Sequence, residues 1–248
     1  SDDFRAGLQV EIGECLLEEI AAGKPEKVWV FPATGSHNPK VYSTRIIEAL
    51  QGFAKDKLNL EIEPVWHDTD TSACVEVGKT KLDTPLIIDE AFMRADVRVY
   101  GHESKHHYMA GYSCIDKQVI PGVAMRKTIE ANHKQSLDED SKVGNISWHK
   151  DPKRQRNPFS GDARDGREIL ENWLVDDDGK LVEAKTESFG LDMISEKKDI
   201  LWLAAGDPAE VSSLMPENAD KFGAFEVERQ QYVLISPGGP PACQALYG

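Results

Sequence analysis

Short apolar runs that alternate with segments of helical period are the feature that most constrains the fold of this chain. The run KVWVFPA, residues 27–33, has the length and the aromatic and β-branched content of a buried strand, and the turn TGSHNP follows it. Residues 41–54 then place Ile46, Ile47 and Leu50 on one helical face. A strand, a loop and a helix in this order predict an α/β protein with a largely parallel sheet flanked by helices.

The rest of the chain continues this pattern and gives it a Rossmann-like layout. Further strands are predicted at residues 60–65, 96–100, 200–205 and 231–236. Helices are predicted at residues 121–134 and 168–174, with a hairpin that turns at Asp178 and Gly179. The polar, proline-bearing stretch 134–165 has no period and is predicted to be a long loop, and loops of that length are usually functional.

The amino-acid composition restricts the kinds of molecule that the chain is expected to bind. The chain has 43 acidic and 29 basic residues and a net charge of -14, which repels nucleic acid and anionic lipid. The four cysteines contain no C-x-x-C pair, so neither a disulfide framework nor a zinc knuckle is indicated, and a reducing cytoplasm is expected. No apolar run approaches the roughly 20 residues that span a bilayer. These observations favour a cytoplasmic protein that acts on a small molecule.

The segment HHYMAGYSCIDKQVIPGVA, residues 106–124, concentrates reactive side chains beyond the predicted strand 96–100, where open α/β sheets bind their ligands. On a helix, His102 and His106 would lie one turn apart and could share a zinc ion in a hydrolase. Ser113 resembles a nucleophile elbow, although Ile115 replaces the second glycine of that motif. Cys114 beside the Lys117 amine is either a stabilised thiolate or, as we expect, a small buried apolar residue.

Taken as a whole, the segment resembles the central motif of the nickel-dependent lactate racemase family. That motif runs from a histidine through a glycine turn to a lysine, and then through Pro-Gly-Val-Ala to a helix that ends Asn-His. The spacings of ten and sixteen residues that separate the three basic side chains hold at His107, Lys117 and His133. FPATGSHNP resembles the family's other histidine turn, DDFRAG its Asp-x-Thr-Arg, and ISPGGPPACQALYG its C-terminal motif. The likeness covers most of the chain.

The resemblance implies a racemase or epimerase of 2-hydroxy acids that works by proton-coupled hydride transfer with a nickel-pincer nucleotide. By the same likeness, Lys117 is the covalent attachment point and His133 the nickel ligand. His37 and His107 are the two catalytic bases, with His106 as a rival to His107. The other residues implied in the site are Asp2 and Ser113 for the cofactor, and Arg5 and Tyr247 for the substrate. Cofactor-synthesis proteins are the implied partners.

The chain departs from the family pattern beside the lysine, where Cys114-Ile115-Asp116 replaces Gly-Gly-x. We expect these side chains and the added negative charge to stand beside the cofactor and to alter its loading. Asn38 replaces an arginine, which predicts a substrate other than lactate. Residues 1–205 are predicted to form the cofactor-binding α/β domain, and residues 206–248 a linker and the start of a second, apparently truncated, α/β domain. A non-catalytic relative that binds a nucleotide or a metal through the same loops is the alternative.

Overall fold

The computed structural model describes residues 9–196 and 199–224. Its helices are α1 (Gln9–Ala22), α2 (Pro39–Phe53), α3 (Glu90–Met93), α4 (Arg126–His133), α5 (Pro158–Leu170) and α6 (Pro208–Gly223). Its strands are β1 (Trp29–Val30), β2 (Glu63–Pro64), β3 (Cys74–Lys79), β4 (Pro85–Asp89), β5 (Val97–Glu103), β6 (His106–His107), β7 (Gly111–Tyr112), β8 (Trp173–Val175), β9 (Leu181–Glu183), β10 (Glu187–Glu196) and β11 (Asp199–Gly206). Within the described ranges, no helix is long and apolar enough to cross a membrane.

The first part of the chain forms a small unit around β1. The helix α2 begins because Asn38 caps it, its side chain accepting a hydrogen bond from the Lys40 N–H, and because Pro39 fits the first helical position. Its apolar face packs with α1 in a cluster of buried side chains, which are Leu17, Val28, Leu50, Ala54 and Ile62. Strand β1 pairs with β2 in parallel. The predicted strand-loop-helix unit is therefore confirmed, although the strand is short.

The largest sheet has the strand order β11-β10-β5. Strand β5 runs parallel to β10, and β10 runs antiparallel to β11, so the sheet is mixed. Helix α6 packs on β10 and β11. The main core contains Leu86 and Ile88 of β4, Met93, and Ile115 and Ile120 near the glycine turn. The α/β class is confirmed, and the parallel pairs among the described strands are β1 with β2 and β5 with β10.

Some predicted elements are wrong in place or type. The stretch predicted as loop 134–165 ends at Asn157, which caps α5, and the helix predicted at 168–174 is the end of α5 followed by β8. The helix predicted from Pro121 begins at Arg126, because residues 119–123 form a turn and Ala124 forms a β-bridge with Ile88. The β8–β9 hairpin with its turn at Asp178 and Gly179 is confirmed. Strand 231–236 lies outside the described residues.

Candidate functional site

One cavity of about 1020 Å³ lies between the α1–β1–α2 unit and the strand β5. Its wall contains five of the residues that the sequence predicted for the site: His37, His107, Ser113, Lys117 and His133. The other three, Asp2, Arg5 and Tyr247, lie outside the described residues. Side chains from four separate segments of the chain therefore meet at one cavity.

The loop that carries His37 docks on the turn that follows Lys117. The Gly35 N–H donates to the Gly122 carbonyl oxygen at 3.1 Å, and the Thr34 hydroxyl donates to the His37 carbonyl at 3.0 Å. Gly35 has a φ of 57°, a conformation that glycine adopts without strain. These contacts hold the His37 loop at the same end of the cavity as Lys117.

Lys117 lies in a single 3₁₀ turn, Ile115–Gln118, directly after β7. The Gly122 N–H donates to the Lys117 carbonyl oxygen at 3.0 Å and closes the turn. A Cβ at Gly122 would lie 1.9 Å from the Gln118 carbonyl oxygen, so the turn requires glycine there. Backbone geometry thus fixes the position from which the Lys117 side chain reaches the cavity.

The residues that replace the family's Gly-Gly-x point away from this cavity, which corrects the expectation that they stand beside the cofactor. Cys114, Ile115 and Asp116 are completely buried, and the cavity wall does not include them. Asp116 accepts hydrogen bonds from Arg167 Nε at 2.6 Å and from Arg164 Nε at 3.4 Å. Burial raises the pKa of the Cys114 thiol, and the nearby Asp116 raises it further, so the thiol stays neutral as expected.

His133 ends α4 with its ring held in one tautomer. Its Nδ1 lies 2.8 Å from the Ile129 carbonyl oxygen, an acceptor, so Nδ1 carries the proton and Nε2 keeps its lone pair. Burial lowers the pKa of His133, and the positive charge of Lys117 lowers it further, against the hydrogen bond to Ile129. A neutral imidazole with a lone pair at Nε2 is the form that binds a metal ion.

Phe159 falls in the stretch 134–165 that the sequence predicts to be a loop, and its ring lies against two of the site histidines. Its ring meets His133 edge to face, with centroids 5.0 Å apart, and stacks with His107 at 6.5 Å. Phe159 is 1% exposed, so both imidazoles rest on a fixed core side chain. The only available sequence signal was a proline after an asparagine, which is a helix start that polar neighbours concealed.

Both histidines of β6 line the cavity, but their side-chain contacts differ. Adjacent strand residues point to opposite faces. His107 packs towards Phe159, whereas His106 turns to helix α6, where its Nε2 lies 2.9 Å from an Asp220 carboxylate oxygen. His107 Nδ1 accepts hydrogen bonds from the Met109 and Ala110 N–H groups, both at 3.2 Å. A neutral His107 in this arrangement carries its ring proton on Nε2.

The zinc-hydrolase alternative fails on geometry. His102 lies in strand β5 and His106 in strand β6, so the helical spacing on which that reading rested does not exist. His102 Nε2 is 3.1 Å from the Ser113 hydroxyl, whereas His106 pairs with Asp220. Ser113 is buried at the cavity wall with its hydroxyl on this histidine.

These features define an α/β protein with a cavity beside β5, whose wall contains the predicted site residues His37, His107, Lys117 and His133 from separate segments of the chain. The profile of the lactate racemase N-terminal domain matches residues 1–144, and the chain belongs to this family. A lactate racemase from Lactiplantibacillus plantarum is 32% identical over 143 residues, which are 55% of this chain and 32% of that protein. The chain thus spans about a third of the length of this relative.

Two solved structures share the fold. The lactate racemase apoprotein from Thermoanaerobacterium thermosaccharolyticum superposes with a TM-score of 0.62 at 21% identity, over 84% of this chain and 43% of the other. A protein from Thermotoga maritima superposes with a TM-score of 0.53 at 14% identity, over 86% of this chain and 58% of the other. At 21% and 14% sequence identity, these two matches show a shared fold alone.

Proposed function

We propose that this chain is the cofactor-carrying part of a 2-hydroxy-acid racemase or epimerase. The observation that carries the proposal is that Lys117, His133, His107 and His37 all line one cavity in a member of the lactate racemase family. The spacing of His107, Lys117 and His133 along the sequence is that of the family motif, and a turn that requires glycine at Gly122 follows Lys117. We further propose that the protein is cytoplasmic and depends on cofactor-synthesis proteins, with residues 1–205 as the cofactor domain.

The residues in the cavity fit a nickel-pincer nucleotide. Lys117 offers a primary amine for an acyl linkage, and it lines the same cavity as His133. His133 Nε2 has a lone pair that would bind Ni(II), a metal that accepts imidazole together with soft sulfur donors. Cys114, Ile115 and Asp116 face the core and do not line this cavity. Bound there, the group would supply the acceptor and donor for the C2 hydride.

The histidines would handle the hydroxyl proton of the substrate. Racemisation requires a proton acceptor on each face of C2, and His37 and His107 line the cavity from separate segments, the loop before α2 and the strand β6. A neutral His107 carries its ring proton on Nε2, because Nδ1 accepts from the Met109 and Ala110 amides, so Nε2 would donate a hydrogen bond to the substrate oxygen. In its other tautomer, with the ring proton on Nδ1, His107 would accept the hydroxyl proton at Nε2.

Intact-mass measurement tests the cofactor assignment. The chain is produced together with cofactor-synthesis proteins as wild type, Lys117→Arg and Lys105→Arg; Lys105 lines the same cavity and serves as the control. Because an acyl linkage needs a primary amine, we expect an added mass on the wild type and on Lys105→Arg, and none on Lys117→Arg. An unshifted wild type, or a shifted Lys117→Arg, would contradict the assignment.

Isotope retention tests the reaction. A panel of 2-hydroxy acids carrying deuterium at C2 is incubated with the loaded protein in ordinary water. Hydride return predicts that the inverted product keeps its deuterium, whereas loss of C2 deuterium to solvent would contradict hydride transfer. A protein that holds the added mass and inverts none of the panel would be the non-catalytic binder.

A further inference from the structure

Asp220, in the last turn of α6, binds side chains from three separate segments of the chain. Its Oδ1 accepts hydrogen bonds from Tyr112 OH at 2.7 Å and from His106 Nε2 at 2.9 Å. Its Oδ2 accepts one from Arg154 at 2.5 Å. His149 Nε2 lies 3.6 Å from the same carboxylate. One carboxylate therefore joins α6 to strand β6, strand β7 and the polar loop before α5.

The two strand residues held by Asp220 are directly opposite each other in the hairpin that carries His107. His106 pairs with Tyr112, and His107 pairs with Gly111. Since neighbouring residues of a strand point to opposite faces, Asp220 binds the face of the hairpin opposite to His107. Tyr112 is completely buried, so this anchor is rigid. Asp220 thus binds both strands of the hairpin on the face opposite to His107.

Arg154 extends the anchor to the turn itself. Besides Asp220 and the Tyr112 hydroxyl, it donates from Nε to the Gly144 carbonyl oxygen at 2.6 Å. The Gly144 N–H in turn donates to the Gly111 carbonyl oxygen at 3.1 Å. Asn157 donates from Nδ2 to the Met109 carbonyl oxygen at 2.9 Å. The loop before α5 is therefore hydrogen-bonded to the turn whose amides bind the His107 ring.

Hydrogen-bond donors around Asp220 keep its carboxylate ionised. Burial alone would raise its pKa, but hydrogen bonds from Arg154, Tyr112 and His106 outweigh burial and hold the pKa far below its usual range. The titratable and charged groups that face it are Arg154, Tyr112, His106 and His149. The anchor is an ionised carboxylate at every pH at which a hydroxy-acid racemase would be assayed.

We propose that Asp220 is a positioning residue for His107, acting through His106, Tyr112 and Arg154 to fix the hairpin that presents the imidazole to the cavity. The expected effect on the racemisation rate rests on the proposed function of His107. The expected effect on the position of the hairpin does not. A displacement of about 1 Å at a reacting group can cost on the order of 100-fold in rate. Asp220 makes no contact with the proposed cofactor side chains in the described residues, so its effect reaches the site through the hairpin.

The test compares Asp220→Asn with Glu217→Gln in the full chain. Glu217 also lies on α6 and also pairs with the polar loop, through Lys150 at 2.5 Å, but that pair is exposed, so it is a matched control. Two measurements report His107 directly: the ¹⁵N shifts of its ring nitrogens and the hydrogen exchange of the Met109 and Ala110 amides. Racemisation by the loaded protein is measured as separate kcat and KM values.

For Asp220→Asn we expect averaged ring shifts at His107, at least tenfold faster exchange of the two amides, and a kcat lowered by roughly 10- to 100-fold with KM nearly unchanged. Glu217→Gln should match the wild type, and Asp220→Glu should recover part of the loss. A lowered melting temperature with an unaltered His107 signature would overturn the proposal. A loosened hairpin with unaltered kcat would uphold positioning and count against His107 as a catalytic base.

Tyr112→Phe keeps the inference testable if Asp220→Asn does not fold. The substitution removes one hydroxyl and leaves the buried ring in place, so the core is retained. We expect the same changes at His107 in smaller measure, because His106 and Arg154 still bind Asp220. Unchanged exchange at Met109 and Ala110 in this variant would also contradict the proposal.

Discussion

The Phe159 ring meets the His133 imidazole edge to face, with centroids 5.0 Å apart and ring planes at 71°. The same ring stacks with His107. A core residue of α5 is therefore the common support of a proposed nickel ligand and a proposed base. Its place in the fold, two residues into α5, makes the start of that helix part of the site.

Phe159→Leu should retain the fold and disturb both histidines. The substitution keeps an apolar side chain but loses the aromatic contacts, and we expect a loss of about 1 to 2 kcal/mol in unfolding free energy. The ring-proton shifts of His133 and His107 should change because the nearby aromatic ring is gone. Phe92→Leu is the control, since Phe92 pairs edge to face with Phe31 at 6.0 Å. Equal histidine shifts in the two variants would show that Phe159 gives no particular support.

Asp116→Asn should be far more destabilising than Asp70→Asn. Asp116 and Arg167 are 0% and 2% exposed, so neutralising the carboxylate leaves a buried guanidinium that keeps only its contacts with Glu168 and Glu171. Breaking a buried pair typically costs about 3 to 5 kcal/mol. Asp70 pairs with Arg126 at the surface, where such pairs contribute little to stability. Urea unfolding of the two variants measures the difference, and similar losses would contradict the buried role of Asp116.

Gly111→Ala should prevent stable folding. The φ of Gly111 is 76°, and an added Cβ would lie 1.6 Å from the Asn145 carbonyl oxygen, a backbone atom that cannot yield cheaply. Gly52→Ala is the matched control, because Gly52 lies in α2 with nothing within 4 Å of an added Cβ. That variant should gain about 0.5 to 1 kcal/mol in unfolding free energy. Circular dichroism and thermal unfolding distinguish the two, and a stable Gly111→Ala would refute the close contact.

The Asp220 carboxylate should give the protein an acid-sensitive part of its stability. Its folded pKa is lowered, so between the folded and unfolded values the unfolded chain binds a proton that the folded chain does not. The stabilisation is therefore complete above the model-peptide value of about 3.9 and is lost as the pH falls below it. The stability difference between the wild type and Asp220→Asn should shrink as the pH is lowered from 7 to 3. A difference that stays constant over that range would contradict the assigned charge.

Much of the local structure was readable from the sequence. The α2 helix is signalled by Asn38 and Pro39, the β8–β9 hairpin by its Asp-Gly turn, and strand β5 by DVRVY. Each depends on neighbouring residues and on backbone preferences that act over a few positions. The helix α5 was missed because its buried face carries Asp162 and Arg167, which look like surface residues until their partners are known.

The sequence by itself determined the α/β class, the motif that identifies the family, and the spacing of His107, Lys117 and His133. Only the tertiary structure decided which way the side chains between them point: Asp116 into the core with Arg167, and His106 to Asp220 while His107 lies against Phe159. The physical reason is that a side chain's direction is set by whichever distant partner satisfies its charge or fills its volume. In this chain the partners lie 51 positions apart for Asp116 and Arg167 and 114 positions apart for His106 and Asp220, beyond the reach of any local pattern.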